Sequence, residues 1–164
     1  MACQVELPDA GAFDQVVKPL WTCPKCGHQF ASANLWHSCG RYDLEAHFAG
    51  RDPNVRHTFD RLVELTKACG PVTVYPQKTR IVFMVRVRFG GVTTARRWLN
   101  LALWLTRRVE HPRLRKAELY GPKTYGHRFR LASPEEIDGD LKALLREAYA
   151  VGRQEHLLGR RTPG

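Results

Sequence analysis

The chain has 164 residues, of which 43% are apolar, enough to bury one sizeable core but hardly two. Its formal net charge is +10. The first residues include Glu6 and Asp9 and contain neither a basic region nor an apolar run of signal-peptide length. The most apolar segment, residues 98–106, is far shorter than the roughly 20 residues that a membrane helix needs. We therefore expect a cytoplasmic protein without a membrane partner.

A cysteine cluster follows an N-terminal arm over residues 1–20. The stretch WTCPKCGHQFASANLWHSCG, residues 21–40, holds three of the five cysteines. In a reducing cytosol, clustered thiols indicate metal ligands or a redox pair rather than disulfides. A redox Cys-x-x-Cys pair begins a helix after a buried strand, and the residues after Cys26 predict no such helix. Cys3 and Cys69 stand alone and are expected to be small buried hydrophobic residues.

The spacing within this cluster predicts a four-ligand zinc site. Cys23 and Cys26 enclose a turn, after which Gly27 can adopt the positive φ that lets backbone N–H groups approach the sulfurs. His37 and Cys39 follow about a dozen residues later and complete a tetrahedron from a bent segment, since residues two apart on a regular strand face opposite ways. Four protein ligands leave no position for a water molecule, so the zinc is expected to be structural.

The sequence offers three candidates for the fourth ligand. His47, on a short helix, and His28 are alternatives to His37. We expect an apolar cover over the site, formed by Trp21, Phe30 and Trp36. The zinc-binding module spans residues 21–50 and is a candidate docking surface for a protein partner.

The next element in the chain is an amphipathic helix. Asp52 is the predicted N-cap, Pro53 takes the first helical position, and Gly70 with Pro71 ends the helix. Its apolar positions recur at helical spacing: Val55, Phe59, Leu62, Val63 and Thr66.

The middle of the chain changes to a period of two, which indicates β-strands. Residues alternate from Met84 to Phe89, Gly90 and Gly91 predict a turn, and the segment WLNLALWL, residues 98–105, alternates leucines with other residues. The segments KAELY, residues 116–120, and HRFRL, residues 127–131, indicate two more strands.

A second helix is predicted after a capping box at residues 133–136. Its apolar stripe comprises Ile137, Leu141, Leu144, Leu145, Ala148 and Tyr149. The fold class is therefore α+β: a mostly antiparallel, meandering sheet with two flanking helices on one face, over residues 51–152, with a flexible tail over 153–164. The predicted common core is Phe59, Leu62, Val85, Val87, Leu101, Leu103, Leu141 and Leu145.

The positive charge is concentrated on the sheet segment. Residues 78–130 contain fourteen Lys or Arg and only two acidic residues, Glu110 and Glu118. If the alternating leucines face the helices, basic and aromatic side chains share the other face, which would neutralise phosphates and stack the bases of single-stranded nucleic acid. The candidates are Arg80, Arg86, Arg88, Arg96, Arg97, Trp98 and Trp104. The competing interpretation is that the arginines only solvate the face and both tryptophans are packing residues.

Two further residues are candidate anion ligands. Lys78 lies in a turn, and His127 lies near Tyr120, Lys123 and Tyr125. Histidines at such positions more often end a strand and bond to the backbone. The chain has no nucleophile beside a recognisable base, no Gly-rich phosphate loop and no H-E-x-x-H motif, which favours a non-catalytic function. The alternative to nucleic-acid binding is a domain that binds a small anionic ligand or a protein and uses the zinc ribbon structurally.

The order of these segments resembles a bacterial family of uncharacterised domains, domain of unknown function 5655. The resemblance covers roughly residues 52–152, and its most specific pieces are PQKTRIVF, residues 76–83, and HRFRL, residues 127–131, running into the last helix. The cysteine module resembles the ribbon that precedes some members. The resemblance implies domain limits and an α+β fold, and it implies no catalytic residue. Other members are fused to nuclease-like or predicted transport proteins, which implies a link to DNA.

Overall fold

The computed structural model describes residues 19–34, 37 and 39–158. The predictions that concern Cys3, Trp36, most of the N-terminal arm and the end of the tail lie outside these residues. The strands are β1 Trp21–Thr22, β2 Gln29–Phe30, β3 Thr73–Pro76, β4 Ile81–Met84, β5 Arg88–Thr94, β6 Leu99–Leu105, β7 Leu114–Gly121 and β8 Thr124–Leu131. The helices are α1 Pro53–Cys69, α2 Gly139–Gly152 and α3 Glu155–Leu158, with 3₁₀ turns at Glu45–His47 and Pro134–Glu136.

The six longer strands form one antiparallel sheet in the order β3-β4-β5-β6-β8-β7. Strands β3 to β6 form a meander. In the β7–β8 hairpin that follows, β8 rather than β7 pairs with β6, so β7 is an edge strand. Helices α1 and α2 pack on one face through a single apolar core. This arrangement confirms the α+β class with two helices on one side of an antiparallel sheet.

Helix α1 begins and ends where the sequence predicts. The Asp52 carboxylate accepts a hydrogen bond from the Asn54 N–H at 2.9 Å, and Pro53 occupies the first turn. The helix ends before Gly70, and the Tyr149 hydroxyl of α2 donates to the Pro71 carbonyl at 2.8 Å. This bond ties the C-terminal end of α1 to α2.

Helix α2 begins later than predicted. The residues assigned to its capping box form a separate 3₁₀ turn, and the Glu136 carboxylate accepts from the Ala132 N–H at 2.6 Å. The true N-cap is Asp138, which accepts from the Leu141 N–H at 2.8 Å. The capping box was misplaced because the Glu136 carboxylate bonds upstream to Ala132 instead of closing the first turn of a helix.

The predicted turn at Gly90 and Gly91 was wrong, because both glycines lie inside β5. A Cβ at Gly90 would come within 2.7 Å of the Ala102 oxygen, and one at Gly91 within 2.6 Å of the Ile81 oxygen. The two glycines therefore allow β5 to pack closely between β4 and β6. The chain bends instead between β4 and β5, where the Val87 N–H donates to the Gly152 carbonyl at 3.1 Å.

This bend changes the predicted core at two positions. Val85 is only partly buried at the edge of the core, and Val87 lies outside it. The other six predicted core residues are buried together, as expected: Phe59, Leu62, Leu101, Leu103, Leu141 and Leu145. The four leucines of β6 are fully buried while the residues between them are half-buried. The alternation along β6 was therefore assigned to the correct sheet face.

Replacement of a central leucine tests this assignment. Leu103 has 0% of its surface exposed, so we expect Leu103→Ala to lower the free energy of unfolding by about 2–5 kcal/mol, because it leaves a cavity under the helices. Chemical denaturation measures the change. Thr93→Ala, on the exposed side of neighbouring β5, is the control and should cost less than about 1 kcal/mol. Equal losses for the two variants would contradict the assignment.

Candidate metal centre and the open face of the sheet

Strands β1 and β2 form a short hairpin that presents the first two cysteines. The Gly27 N–H donates to the Cys23 carbonyl at 2.8 Å, and the Cys23 N–H donates to the His28 carbonyl at 2.9 Å. Gly27 has a φ of 75°, which a residue with a Cβ rarely adopts. The turn therefore curls the backbone around the sulfurs of Cys23 and Cys26, as the sequence predicts.

The structure brings the four predicted ligands together. The donor atoms of Cys23, Cys26, His37 and Cys39 all lie within 4.8 Å of one another. His37 Nε2 lies 3.3 Å from Cys26 Sγ and 3.2 Å from Cys39 Sγ, and the sulfurs of Cys23 and Cys39 are 3.7 Å apart. Three sulfurs and one imidazole nitrogen at these separations are able to hold one metal ion.

The thiols of this cluster differ in acidity because they share one site. Burial raises the pKa of Cys23, but hydrogen bonds from the Cys26 and Lys25 backbone and from the neighbouring thiols outweigh it and lower the pKa to about 6. Burial, and then the hydrogen bonds and charges of Cys23 and Cys26, raise the pKa of Cys39 to about 11. A bound cation would favour the thiolate form of Cys23 and Cys39 together, because its charge offsets the repulsion between neighbouring thiolates.

The two alternative histidine ligands lie outside this group of donor atoms. His47 Nε2 lies 2.8 Å from the Gln77 carbonyl, a pure acceptor, so this nitrogen carries the proton. His28 stacks on Tyr75 at a centroid distance of 4.4 Å. Burial, followed by the nearby His37 and Arg88, lowers the pKa of His28. Neither histidine belongs to the group of donor atoms, and His37 is the histidine of the cluster.

The cysteine module packs on the outer face of the sheet, which is the face opposite α1 and α2. Cys23 and Phe30 form a second apolar cluster with three residues of β3 and β4: Tyr75, Val82 and Met84. Strand β4 is consequently buried on both faces. Two of the three predicted cover residues lie beside the cluster, since the rings of Phe30 and Trp21 have centroids 4.3 Å and 6.3 Å from that of His37.

The remaining half of the outer face, over β6, β8 and β7, carries exposed basic side chains; we call it the open face. Because His127, Phe129 and Leu131 point into the core, Arg128 and Arg130 point outward, and both are exposed. Paired residues share a face, which adds Lys116 opposite Arg128 and Asn100 opposite Arg130. Lys116 forms an ion pair with Glu118, also on this face.

The predicted basic residues do not all share this surface. Lys78 and Arg80 lie exposed in the β3–β4 turn, and Arg96 and Arg97 lie exposed in the β5–β6 turn. Since Ile81 pairs with Val92, these two turns are at the same end of the sheet. They form a basic rim beside the open face rather than part of it.

The two tryptophans lie at opposite ends of the open face. Trp98 is half-buried near the basic rim, with the Arg130 guanidinium 4.4 Å from its ring centroid. Trp104, also half-buried, pairs with Gly126 at the far end. Six residues of extended chain separate the two tryptophans by about 20 Å.

Arg86 and Arg88 are engaged by other residues. Arg86 Nε donates to Gln154 Oε1 at 3.3 Å. Arg88 Nε donates to the Tyr75 hydroxyl at 3.0 Å, and its guanidinium lies 5.9 Å from the Phe30 ring centroid. Arg88 therefore links β5 to the cysteine module and is not presented to solvent as a surface cation.

His127 is placed in the core rather than in a surface pocket. It is fully buried under the helices, and its Nε2 accepts a hydrogen bond from the Val109 N–H at 3.1 Å. Burial lowers its pKa, which favours the neutral ring. This matches the alternative in which the histidine bonds to the backbone.

Arg128 and Arg130 were missed as candidate binding residues. The signal was present, because HRFRL alternates His, Phe and Leu with Arg, and a period of two places the arginines on the face opposite the apolar residues.

These features define an α+β domain with a Cys₃His cluster packed on its sheet. The family model described as "Domain of unknown function (DUF5655)" matches residues 44–152. The chain belongs to this family. No curated protein and no solved structure matches it. Among the described residues, no helix has the length and apolar composition needed to cross a membrane.

A ligand substitution tests the metal centre. We expect Cys26→Ser to lose bound metal and to lower the free energy of unfolding by more than about 3 kcal/mol, because the module would no longer cover Val82 and Met84. Cys69→Ser is the control, since Cys69 lies on α1 outside the cluster. Metal content and thermal unfolding measure both. Full metal occupancy in Cys26→Ser would contradict the ligand assignment.

Proposed function

We propose that the protein is a non-catalytic, zinc-stabilised domain that binds single-stranded nucleic acid on its open face. The observation that carries the proposal is the open face itself, where exposed Arg128, Arg130 and Lys116 lie between two tryptophans. Glu118 is the acidic residue placed among them, and Lys116 pairs with it. Such a surface offers positive charge for phosphates and flat rings for bases.

The donor set of the cluster supports zinc as the metal. Thiolates and imidazole are soft or borderline ligands that suit Zn²⁺ and disfavour Mg²⁺ and Ca²⁺, which prefer oxygen. Four protein donors also make a closed shell, which is typical of structural sites. A zinc ion held by three thiolates would carry a net charge of −1. Arg88 lies beside the module with a buried Nη2 that has no hydrogen-bond partner among the described residues, and its charge would offset that of the site.

The geometry of the open face favours single strands over duplexes. Bases stacked inside a duplex are not available to flat side chains on a sheet, whereas unstacked bases can lie on aromatic rings or on guanidinium planes. Trp98 with Arg130 across its ring forms one such platform. Because Trp104 is about 20 Å away along β6, a strand that reaches both rings must run along β6 and pass Arg128, which pairs with Ala102.

The first test concerns the metal. Purified protein should contain one equivalent of zinc, which elemental analysis measures, because the closed Cys₃His shell retains its ion. Chelation under denaturing conditions should remove the zinc and prevent refolding of the module until Zn²⁺ is restored. Folded protein with far less than one equivalent of zinc or a substitute metal would contradict the assignment.

The second test concerns nucleic acid. Fluorescence anisotropy with a labelled single-stranded oligonucleotide should show binding that weakens as salt rises, because phosphate contacts release counterions. Arg128→Ala and Arg130→Ala should each weaken binding to all sequences and make the log–log salt slope shallower by about 0.7.

Arg146→Ala provides the control, since it removes the same charge from an exposed position on α2, on the other side of the domain. It should leave the slope unchanged. An equal effect of all three variants would indicate attraction by net charge alone. An absence of binding at low salt would leave a protein partner or a small anionic ligand as the better account of the open face.

A further inference from the structure

A cleft lies at the Trp104 end of the open face, and the function proposed above does not use this cleft. Its volume is about 330 Å³, within the range of pockets that take small ligands. Its described lining includes Val87, Trp104, Tyr120, Thr124, Gln154 and His156. They come from the bend between β4 and β5, strand β6, the β7–β8 hairpin, and the end of α2 with α3.

The cleft offers aromatic surface on two sides. Tyr120 is 58% exposed, and its ring lies against Gly126, where a Cβ would come within 2.4 Å of Cε2. Gly126 of β8 also pairs with Trp104, so the two rings lie on β6 and β7, the strands on either side of β8. A planar ring is the shape that two such aromatic walls admit.

Gln154 supplies a fixed polar group at the cleft. Its φ of 62° is uncommon for a residue other than glycine, and such strained positions often occur at binding sites. Its Oε1 accepts from Arg86 Nε, which leaves the amide nitrogen as a hydrogen-bond donor. Thr124 adds a hydroxyl that both donates and accepts. The described lining includes Arg88 and His156 and no acidic residue.

We propose that this cleft binds the terminal base of a nucleic-acid strand, with the base against Trp104 and Tyr120. A planar heterocycle with ring acceptors matches the aromatic walls and the amide donor. The Glu118 carboxylate, which accepts from the Tyr120 hydroxyl, forms an ion pair with Lys116, so its charge is offset where a neighbouring phosphate would lie. The β7–β8 hairpin and α3 line the far side, so a strand that runs along β6 from Trp98 reaches the cleft with its end. The choice of a nucleic-acid base over another planar ligand rests on the function proposed above.

The test compares oligonucleotides that carry an abasic residue at the 5′ end, at the 3′ end or in the middle. Loss of the base at one end should weaken binding about fivefold to a hundredfold, which is the range expected for a stacked base. Tyr120→Ala should weaken the intact oligonucleotide by a similar factor and abolish the difference between the intact and the end-abasic probe. Tyr120→Phe should preserve the affinity for the intact oligonucleotide and the difference from the end-abasic probe, because it keeps the ring and removes only the hydroxyl that bonds to Glu118.

A second variant reshapes the cleft without removing a ring. Gly126→Ala places a methyl group where the exposed Tyr120 ring now lies, so the ring must move and binding should fall as in Tyr120→Ala. Adenosine 5′-monophosphate, followed by the indole NMR signals, should shift the signal of Trp104 and leave that of Trp98 unchanged. Trp104→Phe assigns the signal.

The outcomes separate this inference from the proposed function. If oligonucleotides bind through Arg128 and Arg130 but abasic ends cost nothing, the cleft is not a base site and the proposed function stands. If the mononucleotide shifts Trp104 while oligonucleotides fail to bind, the proposed function fails and the assignment to strand ends is overturned.

Discussion

Strand β4 is the element on which the rest of the structure depends, because both of its faces are buried. Ile81 and Phe83 pack under the helices, whereas Val82 and Met84 pack under the cysteine module. One sheet therefore has two separate apolar cores. All four residues of β4 are buried. Removal of either the helices or the cysteine module would therefore expose apolar surface of this strand to water. The position of the module also determines which part of the outer face remains open.

Much of the fold followed from local patterns in the sequence. The leucines of β6, the caps of α1 and the four residues of the Cys₃His cluster were predicted because each is encoded by spacing over a few residues. The errors came from interactions between distant segments. Gly90 and Gly91 resemble a turn locally, yet they lie in a strand because the carbonyls of Ala102 and Ile81 approach them closely.

The packing of the cysteine module on the outer face of the sheet was not predicted from the sequence, although the sequence of β4 indicates it. The run IVFM, residues 81–84, is apolar at every position, which is typical of a strand buried on both sides. The alternation of apolar and polar residues that was predicted from Met84 onward begins at the last residue of this run and does not describe the three residues before it. Likewise, no local pattern distinguishes an arginine that is exposed to solvent, such as Arg128, from one that bonds to another strand, such as Arg88. That difference depends on which strands are neighbours.

If the cover over β4 forms only around a bound metal ion, the burial of this strand has a consequence for the newly made chain. Without an ion to hold the cover in place, the side chains of Tyr75, Val82 and Met84 would form an uncovered apolar patch on β3 and β4, and β3 is an edge strand of the described sheet. Apolar surface beside an open strand edge is a template for intermolecular β-pairing. The supply of metal during synthesis would thus govern how much of the chain escapes aggregation, which is a matter of solubility and yield as much as of stability.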